Sequence, residues 1–125
     1  MLTNHLETDT MTVYGIKNCN TVKNALTWLD AHTVDYEFHD YKKKGISADA
    51  LKNWSKQVGW ESLLNRKGLT WKQLPEAERG KVKTEKDAIK LMMEKTSIIK
   101  RPLIEVKGKV LLLGFDEAGY SEALS

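Results

Sequence analysis

The chain has 125 residues, of which 41% are hydrophobic and 30% charged, so it can bury one ordinary core and is neither disordered nor fibrous. Mean hydropathy is −0.48, and the absence of a long apolar run argues against a membrane-spanning helix. The N-terminus lacks the features of a secretory signal peptide. The net charge of +3 is too small for a dedicated nucleic-acid binder. We therefore expect a protein that binds neither DNA nor membranes.

Cysteine and histidine usage limits the metal and disulfide chemistry. Cys19 is the one cysteine, so an intramolecular disulfide is impossible and a reducing, cytoplasmic setting is expected. The three histidines, His5, His32 and His39, have no ligand spacing among themselves, and we expect no metal site. His32 is expected to meet the last carbonyls of a helix.

The first half of the sequence predicts a βαβ unit. Residues 1–10 are polar and aperiodic, which predicts a disordered extension. The β-branched run Thr12–Ile16 predicts a strand, and apolar spacing predicts a helix from about Asn20 to His32. Alternation over Val34–His39 predicts a second strand, which the helical crossover would make parallel to the first.

A polar, helical pattern fills the middle of the chain. Ser47 is a candidate N-cap, and Thr84 with Asp87 matches a capping box. The tryptophans are expected to be core anchors, with a stacking surface as the alternative. They are Trp28, Trp54, Trp60 and Trp71.

The end of the chain predicts a hairpin and a closing helix. Leu103–Val106 and Val110–Leu113 resemble strands joined by a short glycine-containing turn. Asp116 is a candidate cap for the last helix. A βαβ half followed by a ββα half outlines an α/β, thioredoxin-like fold with a helical insertion over about residues 45–97.

Cys19 is the candidate nucleophile, because the loop between the first strand and helix is where ligands gather in open α/β sheets. The helix N-terminus favours an anion, and the thiolate is the reactive form of cysteine. Lys17 and Lys23 are expected to add positive charge, to which Arg101 could contribute. Hydrogen-bond donors for an anionic sulfur or oxyanion are Asn18, Asn20 and Thr21. The alternative is an inert, buried cysteine.

Two further segments carry candidate site residues. Pro102 opens a predicted strand, and its bond to Arg101 could be cis. Arg101 could offer a charged fork to an anion, or lie on the surface as an ordinary arginine. The run of residues 65–68, Asn-Arg-Lys-Gly, is by itself typical of a polar helix end with a glycine stop.

Three blocks of the sequence resemble the arsenate reductase-related thioredoxin-fold family (ArsC, Spx and YffB-like proteins), most closely its YffB-like branch. The blocks are VYGIKNCNTVKNALTWL, NWSKQVGWESLLNRKGLTWKQL and IIKRPLIEVKGKVLLLGF. The resemblance implies a single thioredoxin/glutaredoxin-like domain over residues 11–125, with a four-stranded mixed sheet and the helical insertion. It also implies a cis Pro102, a nucleophilic Cys19 and glutathione as the partner thiol.

Departures from the family pattern bear on the substrate. Arsenate reductases of this family carry three arginines; here Asn65 stands at the first place with Arg66 one position later, Arg101 matches the second, and Gly114 stands at the third. Without the full set of charges, weak or absent arsenate reduction is expected. Spx-like regulators often carry CxxC, but position 22 is valine, which rules out an internal dithiol switch.

The leading hypothesis is a glutathione-dependent monothiol reductase of an unidentified disulfide or mixed disulfide. Cys19 would be catalytic, and substrate contacts would come from Lys17, Asn18, Asn20, Thr21, Asn65, Arg66, Arg101 and Pro102. We expect no bound cofactor, glutathione or a glutaredoxin as partner, and a monomer. The alternatives are an arsenate reductase coupled to glutathione and glutaredoxin, and a protein-binding adaptor without catalysis.

Overall fold

The computed structural model describes residues 10–124. The predicted disordered extension therefore lies, except for Thr10, outside the described residues, as does His5. The chain divides into two compact units: one combines the residues up to Lys44 with those from Arg101 onward, and the other is Gly45–Lys100. Over residues 10–124, no helix has the length and apolar character that crossing a membrane requires.

The first unit is built on a four-stranded mixed sheet with the strand order β2-β1-β3-β4. Its strands are β1 (Met11–Gly15), β2 (Glu37–Asp40), β3 (Leu103–Val106) and β4 (Lys109–Leu113). Its helices are α1 (Asn20–Ala31), α2 (Tyr41–Lys44) and α8 (Glu117–Leu124). Strand β1 pairs parallel with β2 and antiparallel with β3, which in turn pairs antiparallel with β4. The predicted α/β fold with a four-stranded mixed sheet is confirmed.

Alternation along β1 and β3 decides which face of the sheet is buried. Val13 and Ile104 are partners in the register and are both fully buried. They belong to one apolar cluster with Met11, Ala25, Trp28, Leu29 and Tyr120. Because successive side chains of a strand point to opposite faces, Thr12 and Tyr14 lie on the other face of the sheet.

The second strand begins later than the predicted start at Val34, because helix α1 is still ending there. Thr33 has a φ of 57°, its N–H donates to Asp30 O, and the Val34 N–H donates to Leu29 O at 2.9 Å. This is the hydrogen-bond pattern of a Schellman motif, which delays the strand to Glu37. The predicted imidazole contact is confirmed, since His32 Nδ1 donates to Trp28 O at 2.8 Å.

The second unit is helical. It comprises α3 (Ala48–Val58), α4 (Trp60–Leu63), α5 (Leu69–Gln73), α6 (Glu76–Gly80), α7 (Glu85–Glu94) and a 3-10 helix (Thr96–Ile98). Two predicted caps are confirmed: Ser47 Oγ accepts the Ala50 N–H at 3.1 Å, and Thr84 and Asp87 form a reciprocal capping box before α7. In the first unit, Asp116 caps α8 by accepting the Gly119 N–H.

The tryptophans separate into two groups. Trp28 and Trp54 are buried, as predicted, with 7% and 0% of their surface exposed. Trp60 and Trp71 are only partly buried, so the prediction that all four are core anchors is wrong. The short helices α4 and α5 have no full apolar stripe, and the two indoles flank the Arg66 guanidinium instead.

Candidate active site

The loop that carries Cys19 is fixed by close packing of α1 against β1. Gly15 ends β1, and a Cβ added there would lie 2.9 Å from Val22 Cγ2 in the first turn of α1. The glycine therefore permits an approach that a larger residue would obstruct. Cys19 follows as the N-cap of α1 in an extended conformation, and its side chain is half-buried.

Arg101 lies beside the Cys19 thiol. Burial of the thiol raises its pKa, but the nearby Val22 N–H, the hydrogen bond and charge of Arg101, and the Thr21 N–H lower it, and the net result is a pKa below the ordinary value of 9.0. The N–H groups of Val22 and Thr21 belong to the first turn of α1 and act on the sulfur without forming a capping hydrogen bond of regular geometry. The expectation of a partly exposed cysteine with a depressed pKa is confirmed.

The topology explains why Arg101 and Cys19 meet. Strand β3 runs antiparallel to β1, with Leu103 opposite Tyr14. The segment that enters β3 is therefore at the same edge of the sheet as the loop that leaves β1. Arg101 belongs to that entering segment, and Cys19 to that leaving loop.

The other predicted residues of the Cys19 loop are exposed. They are Lys17, Asn18, Asn20 and Thr21, followed by Lys23. Of the three cations expected to supply positive charge, Arg101 is the one in the described chain that acts on the thiol, and the expectation for Lys17 and Lys23 is corrected. The side chains of Lys17 and Lys23 are solvated, which weakens their field at the sulfur.

Pro102 is buried, and the Arg101–Pro102 peptide bond is cis, as predicted. Its carbonyl accepts the Gly114 N–H at 2.7 Å. Gly114 has a φ of 90°, a conformation that strains any residue with a side chain. The backbone itself therefore favours glycine at the position that the family resemblance matches to an arginine.

Asn65 and Arg66 belong to the second unit. The Asn65 N–H donates to Ile98 O at 2.7 Å, next to an isolated antiparallel bridge between Leu64 and Ile99. The Arg66 guanidinium lies 6.0 Å from the ring centroid of Trp60 and 5.7 Å from that of Trp71. The predicted substrate contacts of Asn65 and Arg66 stay predictions.

Sequence reasoning missed a cluster of aromatic residues near Arg101, which contains Tyr14 and Tyr41. Tyr14 donates to Glu105 Oε1 at 3.1 Å, and burial together with Glu105 raises the pKa of Tyr14 to about 12. Tyr41 is 2% exposed, and its hydroxyl has no hydrogen-bond partner in the described part of the chain.

Arg101 acts on this cluster as well as on Cys19. Burial, and then Tyr14, raise the pKa of Tyr41, whereas the positive charge of Arg101 lowers it and Glu105 raises it. The pairing of β1 with β3 places Thr12 opposite Glu105 and could have revealed the cluster. That pairing can be inferred only once the strand order is known. Over residues 10–124, no three His, Cys, Asp or Glu side chains are grouped so that they could hold a metal ion.

The sequence profile of the ArsC family matches residues 14–123. The chain belongs to the ArsC family. It is 39% identical over 115 residues to an uncharacterized protein of Haemophilus influenzae, with 92% of this chain and 99% of that protein covered. The predicted family membership is confirmed.

Solved structures of similar proteins agree with this assignment. A YffB protein is 46% identical with a TM-score of 0.86, and the match covers 93% of this chain and 100% of that one. An arsenate reductase (ArsC)-related protein from Brucella melitensis is 47% identical with a TM-score of 0.73, covering 90% and 92%. An arsenate reductase from Vibrio cholerae, 18% identical with a TM-score of 0.73 and covering 93% and 98%, shares the fold.

Proposed function

We propose that this protein is a glutathione-dependent monothiol reductase that acts on a disulfide or mixed disulfide through Cys19. The observation that carries the proposal is the half-buried thiol at the start of α1 beside Arg101, where its lowered pKa raises the thiolate fraction at neutral pH. Membership of the ArsC family and similarity to an arsenate reductase-related structure support a thiol-dependent reductase in general.

The reaction consists of two thiol–disulfide exchanges. The Cys19 thiolate attacks the glutathione sulfur of a mixed disulfide, a Cys19–glutathione disulfide forms, and the second sulfur leaves as a thiolate that takes a proton from water. A glutathione thiolate then attacks the bound glutathione sulfur, which yields oxidised glutathione and restores the Cys19 thiolate. In the net exchange the second substrate sulfur is reduced to a thiol and the incoming glutathione thiol is oxidised, while the glutathione sulfur that entered with the substrate stays in a disulfide throughout.

The resolving thiol comes from outside the chain, because Cys19 is its one cysteine. Glutathione or a glutaredoxin supplies it, and no bound cofactor takes part. Glutathione carries two carboxylates, which suit the cationic Arg101 and Lys17. The exposed loop residues Asn18, Asn20 and Thr21 offer further hydrogen bonds. Asn65, Arg66 and Pro102 complete the proposed set of substrate contacts, in a monomer of the reducing cytoplasm.

The test is turnover of a small mixed disulfide, cysteine–glutathione disulfide, with glutathione, glutathione reductase and NADPH. We expect NADPH consumption above the uncatalysed rate with the wild type and none above it with Cys19→Ser. Lys23→Gln, which removes a neighbouring charge but leaves Arg101 in place, is the matched control and should retain the activity. Equal rates with the wild type and Cys19→Ser would contradict the proposal and favour a protein-binding adaptor.

Arsenate reduction is the second candidate, because Arg101 beside Cys19 could hold one edge of an oxyanion. We expect it to be weak or absent, since Asn65 and Gly114 carry no charge. Loss of one positioned oxyanion donor costs about 2.7–4 kcal/mol of transition-state stabilisation, or roughly a hundred- to a thousand-fold in rate. Arsenate turnover coupled to glutathione and glutaredoxin measures this directly, with an established arsenate reductase as the reference. A rate equal to the reference would make arsenate the substrate.

A further inference from the structure

An exposed patch of the second unit combines aromatic, cationic and aliphatic side chains, of which the proposed reduction uses Arg66 alone. We define the arginine–tryptophan patch as Trp60, Arg66, Lys67, Leu69 and Trp71. Arg66 lies within 6.0 Å of the ring centroids of both tryptophans, and Leu69 is 71% exposed. No other large hydrophobic residue among residues 10–124 is as exposed.

The patch is held in place by its backbone. The Asn65 N–H donates to Ile98 O at 2.7 Å, the Gly68 N–H donates to Asn65 O, and the Lys72 N–H donates to Gly68 O. A Cβ on Gly68 would lie 2.6 Å from Asn65 Nδ2, so the turn between Arg66 and Leu69 is tight. A partner would therefore meet a preformed surface, which reduces the entropy lost on binding.

Cations outnumber acidic residues along the patch. From Trp60 to Lys72 the chain carries Arg66, Lys67 and Lys72 against one acidic residue, Glu61, and all four side chains are exposed. Tryptophan and arginine are the residue types most enriched at the energetic centres of protein interfaces. A guanidinium oriented by two indole rings can accept a carboxylate in a bidentate arrangement.

These observations favour one kind of partner. We propose that the arginine–tryptophan patch binds an acidic segment of a partner protein, with a carboxylate on Arg66 and an apolar side chain on Leu69. A symmetric contact with a second copy would set the same cationic surfaces against each other. Single-stranded nucleic acid would stack bases on the indole faces, and the Arg66 guanidinium already lies over one face of each indole, 6.0 and 5.7 Å from the centroids.

The test begins with a phage library of random short peptides, selected on the full-length wild type, on Leu69→Ser and on Leu111→Ser. Leu111 is the matched control, because it is an aliphatic residue on β4 that is 44% exposed. We expect the wild type and Leu111→Ser to enrich peptides that combine Asp or Glu with Leu, Ile or Phe, and Leu69→Ser to lose them. No enrichment, or enrichment of basic peptides, would overturn the proposal.

The most enriched peptide is then synthesised and titrated by calorimetry. We expect Leu69→Ser and Arg66→Gln each to weaken binding at least about tenfold, and a rise from about 0.05 to about 0.3 M salt to weaken it further.

Tighter binding of oligothymidine than of the peptide would assign the patch to nucleic acid instead. A wild-type dimer that Leu69→Ser dissociates in sedimentation would assign it to self-association. Turnover of the mixed disulfide by Leu69→Ser should equal that of the wild type, which separates this proposal from the proposed function.

Discussion

Arg101 lowers the pKa of Cys19 and also acts on another residue of the first unit. It donates a hydrogen bond to the thiol, and its positive charge also acts on the buried Tyr41. Lys17 and Lys23 are nearer to Cys19 in sequence but exposed. Position in space therefore decides which cation stabilises the thiolate, and the residue that does so comes from the other end of the chain.

Arg101→Gln should raise the pKa of Cys19 toward its ordinary value of 9.0. The substitution removes the charge and weakens the hydrogen bond, while burial of the thiol persists and continues to disfavour the anion. The measurement is the midpoint of iodoacetamide alkylation over a pH series. Lys23→Gln is the control and should leave the midpoint unchanged; equal shifts in both variants would show that general positive charge, rather than Arg101, sets the acidity.

Gly15→Ala should destabilise the protein by about 1–3 kcal/mol, because the new methyl would press on Val22 in the first turn of α1. The shift of that turn should also reduce alkylation of Cys19 at neutral pH, since the N–H of Val22 helps to stabilise the thiolate. Chemical denaturation and alkylation measure the two effects. Gly80→Ala is the control, because a Cβ there meets nothing within 4 Å; a similar loss of stability in that variant would contradict the steric explanation.

At the level of elements, the end of α1 carries an unfavourable residue. Thr33 has a φ of 57° within a Schellman motif, a position where glycine is usual because a branched side chain costs roughly 1–2 kcal/mol in the left-handed region. Glycine removes this cost but loses more conformational entropy on folding. Thr33→Gly should therefore raise the free energy of unfolding by a net of about 0.5–1 kcal/mol.

The same substitution within the helix provides the control for Thr33. Thr27 is exposed in α1, and Thr27→Gly should lower stability, because glycine is a poor helix former. Denaturant titration of the two variants gives the comparison. Destabilisation by Thr33→Gly would show that the threonine side chain contributes more than its backbone conformation costs.

Local signals made several elements predictable from sequence. The capping box of Thr84 and Asp87 involves groups three residues apart, and the cap of Asp116 is equally local. The wrong boundary at Val34 has a local cause too, but threonine gives no signal of a left-handed turn. Trp60 and Trp71 could not be assigned correctly, because their exposure depends on where α4 and α5 pack.

At the scale of the whole molecule, the candidate site depends on strand order, which periodicity does not reveal. The sequence predicts the strands themselves, but Arg101 reaches Cys19 because β3 lies next to β1 and runs antiparallel to it. The resemblance to the ArsC family supplied that information, and the cis bond at Pro102 with it. The Tyr14–Glu105 hydrogen bond went unpredicted, because it needs the exact register as well as the order.

The single cysteine of the chain determines how the proposed intermediate should behave. Treated with oxidised glutathione and no reduced thiol, the wild type should form one Cys19–glutathione disulfide that persists, because no second sulfur in the chain can displace it. Intact-mass spectrometry follows the adduct. The adduct should disappear when reduced glutathione is added, and Cys19→Ser should show none.

Val22→Cys should release the glutathione that persists on Cys19 of the wild type. Position 22 is buried in the first turn of α1, and its N–H already acts on the Cys19 sulfur, so a thiol there would lie close enough to attack the mixed disulfide. We expect glutathione to leave and an internal disulfide to form, with the protein two hydrogen masses lighter than its reduced form. Ala25→Cys, one turn further along the same buried face, is the matched control and should keep the adduct because its sulfur would lie farther from Cys19. Equal persistence of the adduct in Val22→Cys and the wild type would show that an approach from the helix side is blocked, and that the resolving thiol must reach Cys19 from solvent.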